Sequence, residues 1–176
     1  MFSNFIKLGY LLRLVIMFGF MCLHIVTAQA EEYSTGSHNV KSEQGTLSIN
    51  VGHVNHFNDH DFYVYSFLFQ PKGSNDWNQV PRIEKADDPK MLFTVQTKHS
   101  ADIQFFDAKI INDKKIMQLI TVNMETGETL ADKGPITVIT YTLVKLDDYH
   151  RWVFLRTNVK KIESRLTIEQ ILKNTK

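Results

Sequence analysis

Apolar and polar side chains alternate along two early segments of the chain. In residues 46–51 every second residue is Leu, Ile or Val, and the residues between them are polar. Residues 61–70 are apolar or aromatic at nearly every position, with Tyr63, Tyr65 and Phe67 on one side. A period of two assigns one set of side chains to each face of a β-strand. We therefore expect a first strand at 46–51. Both faces of the segment 61–70 are apolar, so we expect a central strand there that is covered on both sides.

The later strands are predicted from runs of β-branched and aromatic residues separated by polar turns. Such runs favour antiparallel pairing. The pattern predicts a short partner strand and then two hairpins, in which a polar turn joins each pair of long strands. The expected strands are residues 77–83, 102–111, 116–122, 136–146 and 151–159.

One helix is predicted, at the C-terminus. Thr167 and Gln170 have the spacing of a capping box, in which each side chain bonds the backbone of the other residue. Ile168, Ile171 and Leu172 fall on one face of such a helix. With strands everywhere else, the expected fold class is all-β: a single antiparallel β-sandwich or curved sheet domain with a short C-terminal helix.

The N-terminus has the pattern of a secretory signal. Lys7 and Arg13 precede an apolar run at 14–26, and the run is followed by the small-x-small sequence of residues 28–30. The run is shorter than the roughly 20 apolar residues of a membrane-spanning helix, so we expect cleavage after residue 30 and no stable membrane anchor afterwards. The bulky residues before Cys22 argue against lipid attachment there.

Three segments follow from this pattern. Residues 1–30 are the signal peptide, the polar stretch 31–45 is a flexible lead-in, and 46–176 is a single β-rich domain. Removing the signal leaves 18 basic against 19 acidic residues, a net charge of about −1, which excludes the basic patch that nucleic-acid binding requires. The mature chain also has no cysteine, so disulfides, thiolate nucleophiles and cysteine-based zinc sites are excluded.

A cluster of histidines and aspartates occupies residues 53–61 and raises the question of a metal site. His53, His56 and His60 have spacings of three and four, which align ligands on a helix but not on the loop expected here. The motifs of zinc proteases, metallo-β-lactamases, serine β-lactamases and phosphate loops are absent. We therefore expect no metal, no cofactor and no catalytic residue, and interpret the cluster as a polar loop that caps backbone groups.

Five segments, in order, resemble the family of the carbapenem intrinsic-resistance protein CarG. The resemblance lies in the order and number of short matches, and it covers residues 57–159. Ser100 and Ile103 depart from the family pattern, in which Gly and Cys are common. The matching segments are NDHDFYVYSF at 58–67, WNQVP at 77–81, SADIQFFD at 100–107, GETLADKGPITV at 127–138 and TYTL at 140–143.

The resemblance implies a periplasmic protein that protects a carbapenem producer from its own antibiotic. Its partner would be the carbapenem itself or a periplasmic cell-wall enzyme that it shields. His60, Asp102 and Asp132 stand within the matching segments. They are our candidate ligand-binding residues. The alternative interpretation is that these polar residues have a structural role and hold loops to strand ends. The resemblance transfers no catalytic mechanism.

Two other functions stay open on the sequence. The first is a metal-assisted hydrolase that uses the histidine cluster. The second is a β-sandwich module that binds sugars or cell-wall fragments, with Trp77 or Trp152 stacked on a ring. If the protein binds an antibiotic carboxylate, a cation must face it. The candidate cations are Arg82, Lys98, Arg151 and Arg156.

Overall fold

The structure is a computed structural model that describes residues 33–55, 61–100, 103–126, 133–163 and 166–175. It has the all-β fold expected from the sequence, with one short helix near the C-terminus of the described chain. Its elements are β1 Gly36–Lys41, β2 Gly45–Val54, β3 Phe62–Pro71, β4 Asn78–Gln79, β5 Arg82–Ile83, β6 Thr94–Gln96, β7 Lys98–Ser100, β8 Ile103–Asn112, β9 Met117–Thr126, β10 Lys133–Leu146, a 3-10 turn Asp147–Tyr149, β11 Arg151–Ile162 and α1 Ile168–Asn174.

The strands form two sheets. The smaller sheet has the order β1-β2-β3-β4, and β6 also pairs with β3. The larger sheet has the order β5-β11-β10-β9-β8-β7. The pairings between described strands are antiparallel, except that β5 runs parallel to β11. The two expected hairpins correspond to β8–β9 and β10–β11, and β3 has the predicted central position in its sheet.

The expected partner strand at residues 77–83 is split between the two sheets. Its first half, β4, pairs with β3, and its second half, β5, pairs with β11. The crossing takes place at Val80 and Pro81: the Val80 N–H donates to the Phe67 carbonyl at 2.9 Å, and the Pro81 carbonyl accepts from Phe154 N–H at 2.8 Å. Proline has no N–H to continue a ladder, so the chain changes its partner there.

The main apolar core lies between the two sheets. Phe67 of β3 meets Phe154 of β11 edge to face, with 5.3 Å between ring centroids, and Phe69 packs on Trp152 at 4.6 Å. Aromatic pairs at such distances add stability beyond their buried area. This core also contains the inward residues predicted for the first strand, Leu47, Ile49 and Val51.

A second core lies on the other face of the larger sheet, where α1 packs against β8 and β9. The helix begins at the predicted capping box. Gln170 N–H donates to Thr167 Oγ1 at 3.2 Å, and Thr167 N–H donates to Gln170 Oε1 at 2.9 Å. Its three predicted apolar residues are buried: Ile168, Ile171 and Leu172. The larger sheet is therefore covered on one face by the smaller sheet and on part of the other by α1.

Two expectations about the smaller sheet were wrong. Tyr65, Phe67 and Phe69 are buried as predicted, but Val64 and Leu68 on the other face of β3 are only half-buried and belong to neither core. An outer sheet needs to bury just one of its faces, which makes complete coverage unnecessary.

The second wrong expectation is the flexible lead-in at residues 31–45. Residues 36–41 form β1, which pairs with β2 along its length, and Val40 packs against the core. The polar composition hid a strand because β1 is an edge strand with one side in solvent. The signal peptide predicted at residues 1–30 lies outside the described residues. Within the described part of the chain, no helix has the length and apolarity needed to cross a bilayer.

Candidate functional site

The three predicted ligand-binding residues, His60, Asp102 and Asp132, lie outside the described residues, and so does His56. The histidine cluster is described only at its two ends. His53 Nε2 lies 3.4 Å from Asp61 Oδ2, and the His53 ring stacks on Tyr63 with 4.8 Å between centroids. Among the described residues, no group of three potential metal ligands is present. The described part of this cluster ties the end of β2 to the start of β3.

Two of the four candidate cations come together where the edges of the two sheets meet. Arg82 of β5 and Arg156 of β11 join Glu84 and Tyr141 in a network that we call the rim cluster. Lys98 lies in β7, at the opposite edge of the larger sheet.

Arg82 is held at the bottom of the rim cluster by backbone pairing. Its N–H and carbonyl exchange hydrogen bonds with Leu92 at 2.8 and 3.0 Å, and Arg82 Nη2 donates to the Thr94 carbonyl at 3.1 Å. Its guanidinium lies over the Tyr141 ring, with 5.6 Å from Cζ to the ring centroid. Arg82 Nε is buried and has no hydrogen-bond acceptor in the described structure. A buried donor without a partner is costly, so Arg82 Nε is an unsatisfied donor of the rim cluster.

Glu84 closes the rim cluster from the solvent side. Tyr141 Oη donates to Glu84 Oε1 at 3.3 Å, and Arg156 Nη1 forms an ion pair with Glu84 Oε2. The side chains of Arg156 and Glu84 are 34% and 38% exposed, whereas Tyr141 is buried. The rim cluster thus extends from the buried Tyr141 phenol to the accessible Glu84 carboxylate. This carboxylate occupies the position between Tyr141 and Arg156.

Burial and charge shift the titration of the two inner residues. Desolvation lowers the pKa of the Arg82 guanidinium, and the neighbouring Tyr141 opposes this effect. Desolvation likewise raises the pKa of the Tyr141 hydroxyl, opposed by the positive charge of Arg82. The raised pKa keeps the Tyr141 hydroxyl neutral at neutral pH, and a guanidinium in a protein stays charged there, which suits a site for an anion.

Apolar side chains flank the rim cluster. Leu92 stands directly opposite Arg82 in an antiparallel bridge, and opposite residues in such a pair point to the same face. Leu92 and the adjacent Phe93 are each 41% exposed. The guanidinium of Arg151, the third candidate cation, contacts Met91 Sδ. Cations beside exposed apolar groups provide the mixture that small organic anions require.

Two acidic features of the structure are less suited to an anionic ligand. Asp107 is buried, and its carboxylate accepts from Tyr65 Oη at 3.1 Å, Gln104 Nε2 at 2.9 Å and Ala108 N–H at 2.7 Å. These donors give it an architectural role between the sheets. A depression of about 140 Å³ beside the 3-10 turn is lined by Asp87, Asp147 and Asp148, among others, and its charge repels anions.

The sequence identified Arg82 and Arg156 as candidates but missed Glu84 and Tyr141. Glu84 directly follows the strand predicted at residues 77–83, where no function was assigned. Tyr141 was noticed only within the TYTL match, in an alternating strand whose partners the sequence does not give. Since the four residues come from three strands and a loop, no spacing along the chain could have grouped them.

Comparison with known proteins supports the fold. No family model matches the chain, and no curated protein matches it. Among solved structures, the crystal structure of CarG is similar, with a TM-score of 0.63 over 82% of this chain and 93% of that chain. The fold is similar to that of CarG. The sequence identity is 15%, so this likeness establishes a structural relationship and leaves the function to be argued from the rim cluster.

Proposed function

We propose that this protein is an intrinsic-resistance, or immunity, protein of the CarG type that protects a producer cell from a carbapenem β-lactam. It acts in the periplasm by non-catalytic binding, and the rim cluster holds the antibiotic carboxylate. The observation that carries the proposal is the convergence of Arg82, Arg156 and Tyr141 beside exposed Leu92, in a fold similar to that of CarG.

The chemistry of the rim cluster matches the ligand class. A carbapenem carries one carboxylate on a compact, largely apolar bicyclic body. Guanidinium groups bind carboxylates through charge-assisted hydrogen bonds, and Arg82 Nε has no acceptor in the described structure. Leu92, opposite Arg82, supplies an apolar surface for the rings. We expect the ligand carboxylate to bind between the two arginines.

The groups of the rim cluster support non-catalytic action on a bound β-lactam. The two guanidiniums donate hydrogen bonds to the ligand, while the single Tyr141 O–H and the Glu84 oxygens are already engaged within the cluster. A β-lactamase needs an activated nucleophile or a metal-bound hydroxide, and the motifs for either are absent from the sequence. Protection should therefore rise in proportion to the amount of protein, with the antibiotic left intact.

Titration calorimetry of residues 31–176 with a carbapenem tests the binding step. We expect saturable binding, weakened about tenfold or more by Arg82→Met, which keeps an unbranched apolar side chain and removes the guanidinium and its charge. Lys98→Met is the matched control, because it removes a cation at the opposite edge of the sheet. No binding by the folded wild-type protein, or equal loss in both variants, would contradict the assignment of the site.

Absorbance of the β-lactam ring, followed in the same mixtures, separates binding from hydrolysis. We expect the ring to persist over many equivalents of antibiotic per protein. Turnover that a chelator or His60→Ala abolishes would instead support the metal-assisted hydrolase.

Expression in a carbapenem-sensitive host tests the compartment. The full-length chain should raise resistance, and a chain without residues 1–30 should not, because it stays in the cytoplasm. Resistance by the full-length chain without any binding of the antibiotic in vitro would favour shielding of a periplasmic cell-wall enzyme.

A further inference from the structure

The outward face of the smaller sheet carries a row of uncharged polar residues. Strand register places Thr94, Ser66, Asn50 and Ser37 side by side across β6, β3, β2 and β1. These positions alternate with the buried core residues, so their side chains point away from the larger sheet. None of the four belongs to either apolar core.

The next row is also uncharged, and it contains one apolar residue, Leu68. Gln79, Leu68, Ser48 and Asn39 lie side by side across β4, β3, β2 and β1. Together the two rows hold eight residues without a charge. Ser48 is buried, and the other seven reach the surface, where about two would be charged at the 25–35% usual for a protein. We call these two rows the outer polar face.

Flanking positions extend this neutral character. Gln96, Val64 and Gly52 form a third row on one side, and Lys41, opposite Thr46, is a charged residue at a corner. At about 4.8 Å between strands and about 6.8 Å between alternate residues, the three rows cover about 14 Å by 14 Å. Leu68 and Val64 place two apolar side chains among the hydroxyl and amide groups of these rows.

Hydrogen bonds within the outer polar face orient one of its amides. Asn50 Oδ1 accepts from Ser37 Oγ at 2.7 Å and from Ser48 Oγ at 3.4 Å. Since the amide oxygen is occupied, the NH₂ group of Asn50 is left as a donor for an acceptor from outside.

An exposed tryptophan stands at the end of this face. Trp77 is 45% exposed and precedes Gln79 by two residues, the spacing at which an extended chain returns to the same side. A large aromatic ring in solvent beside neutral hydroxyls and amides has few uses in packing. It is a platform for the C–H face of a sugar ring, while the neighbouring amides and hydroxyls exchange hydrogen bonds with sugar hydroxyls.

We propose that the outer polar face and Trp77 bind a neutral glycan chain. The lack of charge fits an uncharged polymer better than a peptide or a nucleic acid, whose recognition uses ionic contacts. Leu68 and Val64 contact the apolar faces of the rings, and Asn50 donates to a ring substituent. The site lies on the outer side of the smaller sheet and includes none of the four rim-cluster residues, so it does not depend on the proposed resistance function.

A hexasaccharide of β-linked N-acetylglucosamine is a suitable probe, because it is uncharged and presents both hydroxyls and amides. We expect saturable binding to residues 31–176 by calorimetry or NMR. Trp77→Ala should weaken it about tenfold through lost stacking. Asn50→Asp preserves the acceptor for Ser37 and Ser48 but removes the NH₂ donor and adds charge, and we expect a similar loss.

Tyr149→Ala and Asn158→Asp are the matched controls. Tyr149 is an exposed aromatic residue in the 3-10 turn, and Asn158 is an exposed amide on β11, so neither change should alter binding. All variants must show wild-type thermal unfolding. The proposal is overturned if the folded wild-type protein does not bind the hexasaccharide at millimolar concentration, or if both face variants bind as wild type.

Discussion

The Arg82 guanidinium lies over the ring of Tyr141, with 5.6 Å between Cζ and the ring centroid. This contact joins the edge strand β5 to the interior strand β10 across the top of the core. It matters for the proposed function because it holds a cation at the rim of the sandwich, and Arg82 Nε has no acceptor in the described structure. Four predictions follow from the rim cluster and from one tight turn.

Arg82→Met should reduce both stability and anion binding. The substitution removes the cation–π contact and the bond from Nη2 to the Thr94 carbonyl, at a cost of about 1–3 kcal/mol in the free energy of unfolding. Urea unfolding measures this loss. Arg82→Lys is the informative comparison, since it keeps the charge without the planar fork. If Arg82→Met unfolds at the wild-type urea concentration, the cation–π contact contributes nothing.

Glu84→Gln should strengthen the binding of small carboxylates. Glu84 occupies the position between Tyr141 and Arg156 and competes with a ligand carboxylate as an internal anion. The ion pair is more than one third exposed, so its loss should change stability by less than about 1 kcal/mol. Titration with a carbapenem should show tighter binding and a stronger effect of salt, because the site carries one more net positive charge. Asp88→Asn, which removes a carboxylate from the same loop, should leave affinity unchanged.

Tyr141→Phe should flatten the loss of stability at alkaline pH. Below pH about 10, the ordinary tyrosine pKa, the hydroxyl is protonated in both the folded and unfolded chain. Desolvation raises the folded-state pKa of Tyr141, so above that pH the unfolded chain ionises first and the folded state is progressively destabilised. Arg82, which faces the ring and opposes this shift, limits the effect.

Denaturant unfolding of the Tyr141→Phe variant across this pH range is the measurement. At pH 7 the substitution should cost about 0.5–1.5 kcal/mol, because it removes one hydrogen bond to Glu84. Tyr149→Phe, at an exposed tyrosine, is the control and should retain the wild-type pH profile. Identical alkaline profiles for wild type and Tyr141→Phe would show that Tyr141 does not titrate as described.

Gly45→Ala should destabilise the turn between β1 and β2. Gly45 has a φ of +154°, and a Cβ there would meet the Gln70 carbonyl oxygen and stand 2.8 Å from Phe69 Cζ. We expect a loss of at least about 2 kcal/mol from strain and overpacking. Gly52→Ala, where a Cβ has open space, should change stability by less than about 1 kcal/mol. Equal midpoints for the two variants in thermal unfolding would refute the close approach.

Periodicity along the chain was sufficient for the elements whose information is local. The strand cores at 46–51 and 61–70, both hairpins and the capped helix at Thr167 were predicted because alternation, turn residues and capping bonds involve residues close in sequence. The class of fold follows from these elements. β1 escaped detection because an edge strand with a polar outer side has little apolar alternation.

Tertiary structure alone decided which residues share a site. The sequence could propose Arg82 and Arg156 as cations. Their convergence on Glu84 and Tyr141 depends on the crossing at Pro81, where the chain passes from β4 in the smaller sheet to β5 in the larger sheet. The outer polar face likewise exists only through the register of five strands. The physical reason is the same in both cases: hydrogen-bonded pairing brings together residues that are distant in sequence, and neither composition nor spacing specifies which strands will pair.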